Sequence, residues 1–448
     1  MFQFLIQHSP LLYLTQSVWR DEAFSVLMAL RPVSFIITHV SFEPPFYYLL
    51  LHFWIKVFGQ SEIALRSLSL TAFAAATGIV IVWSEKLFRK HWLSWWLPLF
   101  FFFNPMLLYY GMEGRTYGWY ILFATLSLWA YTESRWIWWT AATVLGFYTH
   151  SYFLIVPFAQ CIHYVLSHRK ELFQHRPKTI FRDPFIRCGI VAAVCIAPWS
   201  IVLMRETAML GHLWYFPVDL NLVTSVLGNL FVGYEGTPWY LWAFTKALSL
   251  LILGFSYLAL RSEKIRATAR LFAIQIYLPL IVVIGISFIK PLYVNRYVIP
   301  VSIAEVMIIA LAIYAIRNTT VQKITAAICL LFVLGFNIWY PNKHAKLDIR
   351  ATLTQINMLK SPTDIVIADN PLIFFETIYY STDKNRVYLY NPDHNPFPWY
   401  VGGVLVSPSQ MVSDYPPYPI RAFMVHANGT FDVVFRAAMP TRSIHTSL

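Results

Sequence analysis

Charge is what this sequence has least of. Only 12% of its 448 residues are Asp, Glu, Lys or Arg, about half of the roughly 25% found in soluble domains. That deficit excludes an ordinary water-soluble globule. Cysteine is also scarce: Cys161, Cys188, Cys195 and Cys329 lie in or beside apolar stretches, with no disulfide framework and no zinc-ligand spacing. There is no Gly-rich phosphate loop, so no standard nucleotide cradle is expected. The sequence shows no internal repeat and no low-complexity segment. Its start lacks the basic n-region and small-residue cleavage site of a cleavable signal peptide. What fills the chain instead is apolar: 58% hydrophobic and 18% aromatic residues, with 17 Trp, 27 Tyr and 35 Phe, and a mean hydropathy of +0.54. This is the composition of a polytopic membrane protein. The net charge of +12 follows from Lys and Arg on cytoplasmic loops and gives no reason to expect nucleic acid.

A spanning helix needs roughly twenty apolar residues. Residues 1–14 are apolar but interrupted by Gln7, His8 and Pro10. They are expected to form an interfacial helix or the end of a first helix. Residues 23–30 suggest a short interfacial helix stopped by Pro32, and Pro44-Pro45 starts an aromatic helix to about Phe58. Spans are expected near 63–83, 93–110, 116–131, 136–149, 151–166, 187–204, 240–260, 271–289, 297–316 and 322–340. The fold class this predicts is an all-α polytopic membrane bundle of about ten to twelve helices. It would run over residues 1–340, with a first outer loop at 15–62.

Alternate loops differ in basic residues. One set carries Lys86, Arg89, Lys90, Arg135, Arg169, Lys170, Arg176, Lys178, Arg182, Arg187, Arg261, Lys264, Arg266, Arg270, Arg317 and Lys323; the other carries Arg20, Arg31, Lys56, Arg115, Arg205, Lys290 and Arg296. Sixteen against seven puts the first set in the cytoplasm. The long loop 205–239 then lies outside, with Trp214-Tyr215 and an apolar run at 220–232 that is expected along the interface. From Pro341 the apolar runs shorten. Strands are expected at 364–368, 386–390, 422–426 and 431–435, with a helix at 371–380, giving a small extracytoplasmic α/β domain over 341–448.

Against this apolar background the acids at Trp19-Arg20-Asp21-Glu22 and Phe42-Glu43-Pro44-Pro45 stand out. Acids gathered at a membrane face imply something bound or deprotonated there. Adjacent acids on a helix point about 100° apart, so one can face a cavity while the other caps or pairs. Asp21 and Glu22 therefore fit either a general base with its support or the first-turn acids of a helix. Glu43 fits a ligand for Mg²⁺ or Mn²⁺, an acceptor for sugar hydroxyls, or a solvated acid at a helix start.

Three basic positions complete the set. Arg115, in Glu113-Gly114-Arg115-Thr116-Tyr117, is placed to bind a phosphate bidentately or to neutralise Glu113. His150 lies at an outer turn between two short spans, as a catalytic group or a satisfied interface residue. Arg296, at the outer start of a span, reads as a phosphate ligand or a snorkelling interfacial arginine. Lys246 and Glu305 fall within spans, where Lys246 can snorkel and Glu305 is expected to have a partner.

The order of these motifs resembles the GT-C glycosyltransferase superfamily over about residues 15–310. The motifs are Trp-x-Asp-Glu-Ala, an acid before Pro-Pro-x-Tyr-Tyr, Glu-x-Arg-x-Tyr, Thr-His-x-Tyr and Arg-Tyr-x-x-Pro. The branch it looks most like holds bacterial enzymes similar to dolichyl-phosphate-mannose–protein mannosyltransferases and to the aminoarabinose transferases of lipid A. The resemblance implies transfer of a sugar, usually with inversion, from a polyprenyl-phosphate donor to an acceptor outside the cytoplasm: a lipid, a glycan or a protein. It implies Asp21 as base, Glu22 as its support, and Glu43 near the sugar or a divalent cation. Arg115, His150 and Arg296 would hold the donor phosphate, with Tyr47, Glu113, Tyr117 and Tyr297 as further substrate-binding positions. Glu43 stands where many relatives have His. The rival expectation is a transporter or flippase of lipid-linked sugars, whose signature would be mid-membrane polar residues and repeated halves. The transferase expectation requires Asp21, Glu43, Arg115 and Arg296 to serve one outward-facing cavity.

Overall fold

The computed structural model describes residues 2–39, 43–174, 181–209, 218–233 and 237–437. Trp214-Tyr215, Phe42, Arg176, Lys178 and residues 438–448 lie outside the described residues. The chain opens with α1 (Phe2–Gln7), α2 (Leu11–Thr15), α3 (Arg20–Ala29), α4 (Val33–His39), α5 (Phe46–Phe58), α6 (Glu62–Phe88), α7 (Leu93–Phe102) and α8 (Pro105–Gly111). It continues through α9 (Tyr117–Thr132), α10 (Trp136–Thr149), α11 (Ile155–Gln174), α12 (Pro184–Met209), α13 (Leu220–Val232), α14 (Trp242–Arg261), α15 (Arg266–Ser287), α16 (Ile299–Ala315) and α17 (Thr319–Trp339). It ends with α18 (Ile349–Leu359), β1 (Ile365–Ala368), α19 (Pro371–Tyr380), β2 (Val387–Tyr390), β3 (Met411–Val412), β4 (Ala422–Val425) and β5 (Phe431–Val434). Two compact units result. One is Met1–Leu14 with Val40–Lys343; the other is Thr15–His39 with His344–Leu448. Segment 15–39, expected as part of the membrane domain's outer loop, thus groups with the tail.

The first unit is a helical bundle. Among the described residues six helices are long and apolar enough to cross a membrane: Glu62–Phe88, Pro184–Glu206, Trp239–Arg261, Arg266–Ser287, Asn295–Ala315 and Thr319–Trp339. Its centre is α16, buried from Ile299 through Ile313 and packed on α7, α8, α9, α13, α14, α15 and α17. A helix apolar all round belongs in such a position. Two glycines set close crossings. A side chain at Gly118 would collide with the Ser69 backbone of α6, and one at Gly228 with the Thr245 backbone of α14.

Two expectations for this unit are revised. The apolar stretch 93–110 is not one helix. Asn104 breaks it, because its side chain caps the Leu107 N–H at 3.1 Å and Pro105 opens α8. The Asn337 amide takes the Phe103 carbonyl at 2.7 Å, so a carbonyl freed by the break has a donor. The run 220–232 is a helix, but Ser225 to Val232 are buried, so it packs into the bundle rather than lying along its surface. Lys246 donates to Asn221 Oδ1 at 2.8 Å near the start of that helix. Glu305, buried in α16, finds no hydrogen-bond partner for either oxygen among the described residues.

The second unit is α/β. Its sheet has the order β3-β2-β1-β4-β5, parallel except for the β4–β5 edge pair. Register at the centre is pinned by Asp364, whose Oδ2 accepts from Arg421 Nη2 at 2.6 Å and whose Oδ1 accepts the Arg421 N–H at 3.1 Å. The expected strands and the helix at 371–380 are all present. Strand β3 and helix α18 are additional. Helix α18 shows one apolar face, with Ile349, Leu353 and Ile356 buried, and packs beside α19. Helix α3 packs on the same α19.

Candidate active site

In the first unit the site is built on the turn between α8 and α9. Helix α8 ends at Gly111, and the Arg115 N–H closes a tight turn onto the Glu113 carbonyl at 2.7 Å. Ser69 of α6 donates its hydroxyl to the Arg115 carbonyl at 2.9 Å. With Gly118 seated on the Ser69 backbone, the turn is held directly against α6. Arg115 is buried, and its Nη2 pairs with Glu43 Oε1. The other Glu43 oxygen accepts the Tyr48 hydroxyl. Glu43 reaches Arg115 because Pro44-Pro45 turns the chain into α5, placing Tyr48 in the first turn of that helix. Tyr47 is fully buried beside it, its ring edge-on to Tyr48 at 5.8 Å. Glu113 is buried at the turn itself.

Aromatic rings fill the other side. His150 stacks on Tyr120 with centroids 4.8 Å apart and planes 3° from parallel. It touches Tyr297 at 5.1 Å and Tyr117 at 5.9 Å. The Tyr152 N–H donates to His150 Nδ1 at 3.2 Å, so the neutral ring carries its proton on Nε2. The Tyr120 hydroxyl donates to the Tyr297 carbonyl at 2.9 Å, fixing the turn that carries Arg296. The Arg296 guanidinium stands 5.7 Å over the Tyr297 ring and is buried. Both Arg115 and Arg296 act electrostatically on His150 and on Tyr117. The sequence-predicted Glu43, Tyr47, Arg115, Tyr117, His150, Arg296 and Tyr297 therefore belong to one cluster of this unit. The buried guanidiniums of Arg115 and Arg296 share this cluster with the carboxylates of Glu43 and Glu113, and arginines held in such a setting are suited to bind a phosphate.

In the second unit Asp21 and Glu22 lie in the first turn of α3, as the helix-start alternative for these acids expects. Glu22 is fully buried, and its Oε2 lies 3.1 Å from Lys346 Nζ and 3.4 Å from the Trp19 N–H. The Lys346 ammonium also stands 5.1 Å over the Trp19 ring. Asp21 Oδ1 receives Arg20 Nε at 2.8 Å. The tail holds this segment at further points. Tyr380 accepts the Val18 N–H at 2.7 Å, Arg350 donates to the Thr15 carbonyl at 3.2 Å, and Phe24 packs on Phe375 at 5.6 Å. Burial pushes the Glu376 carboxyl up to about 8; the Arg20 N–H and side chain oppose this, Asp21 reinforces it, and Lys346 opposes it.

Among the described residues no three His, Cys, Asp or Glu side chains gather as a ligand set. Glu43 is engaged on both oxygens by Arg115 and Tyr48.

Several participants carry no role in the sequence reading. Tyr48 sits inside the quoted Pro-Pro-x-Tyr-Tyr motif, and Tyr120 lies one turn beyond Tyr117, so helical spacing points to both. Lys346, Arg350, Glu376 and Tyr380 reach the acid motif from more than 320 residues away, and no local pattern signals them.

No family model and no curated protein matches this sequence. Solved structures do resemble the fold. The crystal structure of ArnT from Cupriavidus metallidurans in the apo state aligns with a TM-score of 0.64 at 12% identity, over 94% of this chain and 91% of that one. The structure of the same protein bound to undecaprenyl phosphate aligns at 0.61 and 13% identity, over 95% and 92%. The fold of this chain is GT-C-like: a largely helical membrane protein with a small C-terminal sheet domain.

Proposed function

We propose that this protein is an inverting glycosyltransferase that moves a sugar from a polyprenyl-phosphate donor to an extracytoplasmic lipid, glycan or protein. The observation that carries the proposal is the buried pair Arg115 and Arg296 around His150, in a fold resembling a protein crystallised with undecaprenyl phosphate. Asp21 takes the proton of the acceptor hydroxyl or amine. The freed lone pair attacks the anomeric carbon, and the bond from that carbon to the phosphate oxygen breaks. Negative charge grows on the departing polyprenyl phosphate. Arg115, Arg296 and the Nε2–H of His150 stabilise that charge in a low-dielectric setting, where fixed donors act most strongly. Glu43 orients Arg115 through their ion pair. The donor carries its own activation, consistent with a chain lacking a nucleotide loop. The outer location of the site rests on the bias of Lys and Arg toward the opposite loops.

The test is donor choice. Purified protein in lipid nanodiscs is given radiolabelled sugar on polyprenyl phosphate or on a nucleotide, with a membrane extract as acceptor. Label should move only from the lipid donor, releasing free polyprenyl phosphate. Transfer from the nucleotide sugar alone would contradict the proposal. Translocation of the intact lipid-linked sugar in proteoliposomes, without release of polyprenyl phosphate, would favour a flippase.

A further inference from the structure

Arg296 lies outside the long helices. It sits in the link between α15 and α16, residues 288–298, which forms only a short turn at Asn295–Val298. Two tyrosine hydroxyls hold that link from outside it. Tyr152 donates to the Leu292 carbonyl at 2.8 Å, before Arg296, and Tyr120 donates to the Tyr297 carbonyl at 2.9 Å, just after it. The Leu292 N–H donates in turn to the Ser287 hydroxyl at 3.2 Å. Each of the same two tyrosines holds His150 by a second group. The Tyr120 ring lies flat against the imidazole, and the Tyr152 N–H donates to His150 Nδ1. The rings of His150, Tyr152 and Tyr297 close a triangle: His150 to Tyr152 is 5.9 Å, His150 to Tyr297 is 5.1 Å and Tyr152 to Tyr297 is 5.0 Å between centroids. The Arg296 guanidinium stands over the Tyr297 ring of that triangle.

We infer that Tyr120 and Tyr152 are positioning residues, a pair of braces that fix Arg296 and His150 relative to each other so that both meet one phosphate. The inference rests on the transferase proposal, in which those two groups share the departing phosphate. Both tyrosine protons are committed to backbone carbonyls, so the pair acts on the ligand through Arg296 and His150. Without the braces the link is free to shift, and a displacement of about 1 Å can cost about 10²-fold in rate. Donors held in place beforehand need no reorganisation as charge develops. The two tyrosines differ in one respect. The Tyr120 ring sets the plane of the imidazole, so its loss disturbs His150 as well as Arg296. Tyr152 fixes the imidazole proton through its backbone, a bond that no side-chain change removes.

The experiment uses full-length protein in nanodiscs, with radiolabelled polyprenyl phosphate as the binding probe. Tyr120→Phe and Tyr152→Phe remove the hydroxyls and keep the rings. Each should weaken binding about three- to tenfold and lower kcat for transfer about tenfold. In an Arg296→Ala background neither should add more than about twofold to the loss of binding, because the residue they position is gone. Tyr148→Phe is the control. It removes a similar bond, from the Tyr148 hydroxyl to the Cys195 carbonyl at 3.1 Å, and should leave binding unchanged. Tyr120→Leu, which also removes the stack on His150, should lose about tenfold more kcat than Tyr120→Phe, and a His150→Ala background should abolish that difference. Hydrogen exchange over residues 288–298 should rise about tenfold in the double Phe variant, independently of activity. Unchanged binding in both Phe variants, losses that persist in full without Arg296, or an equal loss in Tyr148→Phe would overturn the inference. If the wild type binds no polyprenyl phosphate, the transferase proposal falls, and unchanged exchange in the double variant would then overturn the braces as well. If Tyr120→Leu fails to fold, the Phe variants decide.

Discussion

Lys346 places its ammonium 3.1 Å from the carboxylate of Glu22, across 324 residues of chain. Glu22 is fully buried and the Lys346 side chain 11% exposed, so the pair is shielded from the screening that makes surface pairs weak. Removing one partner strands the other's charge. Lys346→Met should destabilise the protein by about 3–5 kcal/mol, and Lys346→Met with Glu22→Gln by distinctly less. Denaturant unfolding of the purified variants reports the difference. Glu22→Gln alone closes the cycle, and a double-variant loss equal to the sum of the two single losses would show that the two groups are not coupled.

The arginines of the first unit make a separate prediction. Arg296→Ala should lower kcat/KM for the polyprenyl-phosphate donor about 10²–10³-fold, the scale of losing a donor to developing charge. Arg115→Ala should do the same and also destabilise, because Glu43 loses its ion pair. Arg115→Met with Glu43→Gln should recover stability but not activity. Kinetics and melting of the same preparations separate the two effects.

Stability of the C-terminal unit should fall as pH rises from about 4.5 to about 8. Burial, with Asp21 nearby, raises the Glu376 carboxyl above its ordinary 4.5. The folded chain therefore holds a proton that the unfolded chain gives up, and stability present below 4.5 is lost through about 8. His426 slopes the same way: Asp369 at 2.7 Å and Asp432 at 3.0 Å favour its charged form, partly against burial. Its contribution is present below the ordinary histidine range and is lost above it. Glu376→Gln should raise stability above pH 8 by a few kcal/mol at most, and His426→Asn should flatten the smaller remainder. Chemical unfolding from pH 4 to 9 measures both slopes.

Gly118→Ala should cost about 1–3 kcal/mol or more, since its methyl group would meet the Ser69 backbone rather than a side chain that can swing away. Because the same crossing holds the Arg115 turn, donor KM should rise with the loss of stability. Gly254→Ala, with open space around it, is the control and should be close to neutral.

Much of this architecture is legible in the sequence for local reasons. Apolar runs mark α6, α12, α14, α15, α16 and α17 because a bundle in lipid satisfies its backbone within each helix. The tail's strands and α19 show as short β-rich runs and one helical run. Asn104 is harder, because a single capping side chain followed by proline splits a run whose hydropathy never drops. The candidate site divides in the same way. Arg115, His150 and Arg296 stand out as polar groups where polarity is rare. That residues 15–39 fold with the tail does not show, because the contacts that decide it, from Lys346, Arg350, Glu376 and Tyr380, join positions with no common period or motif.

The most direct test of the central claim is the Asp21→Asn variant in the donor assay. Wild-type protein should transfer label from polyprenyl-phosphate sugar and release free polyprenyl phosphate. The variant, folded and still binding the donor lipid, should lose about 10²–10⁴-fold in kcat. Undiminished transfer by Asp21→Asn would contradict the account.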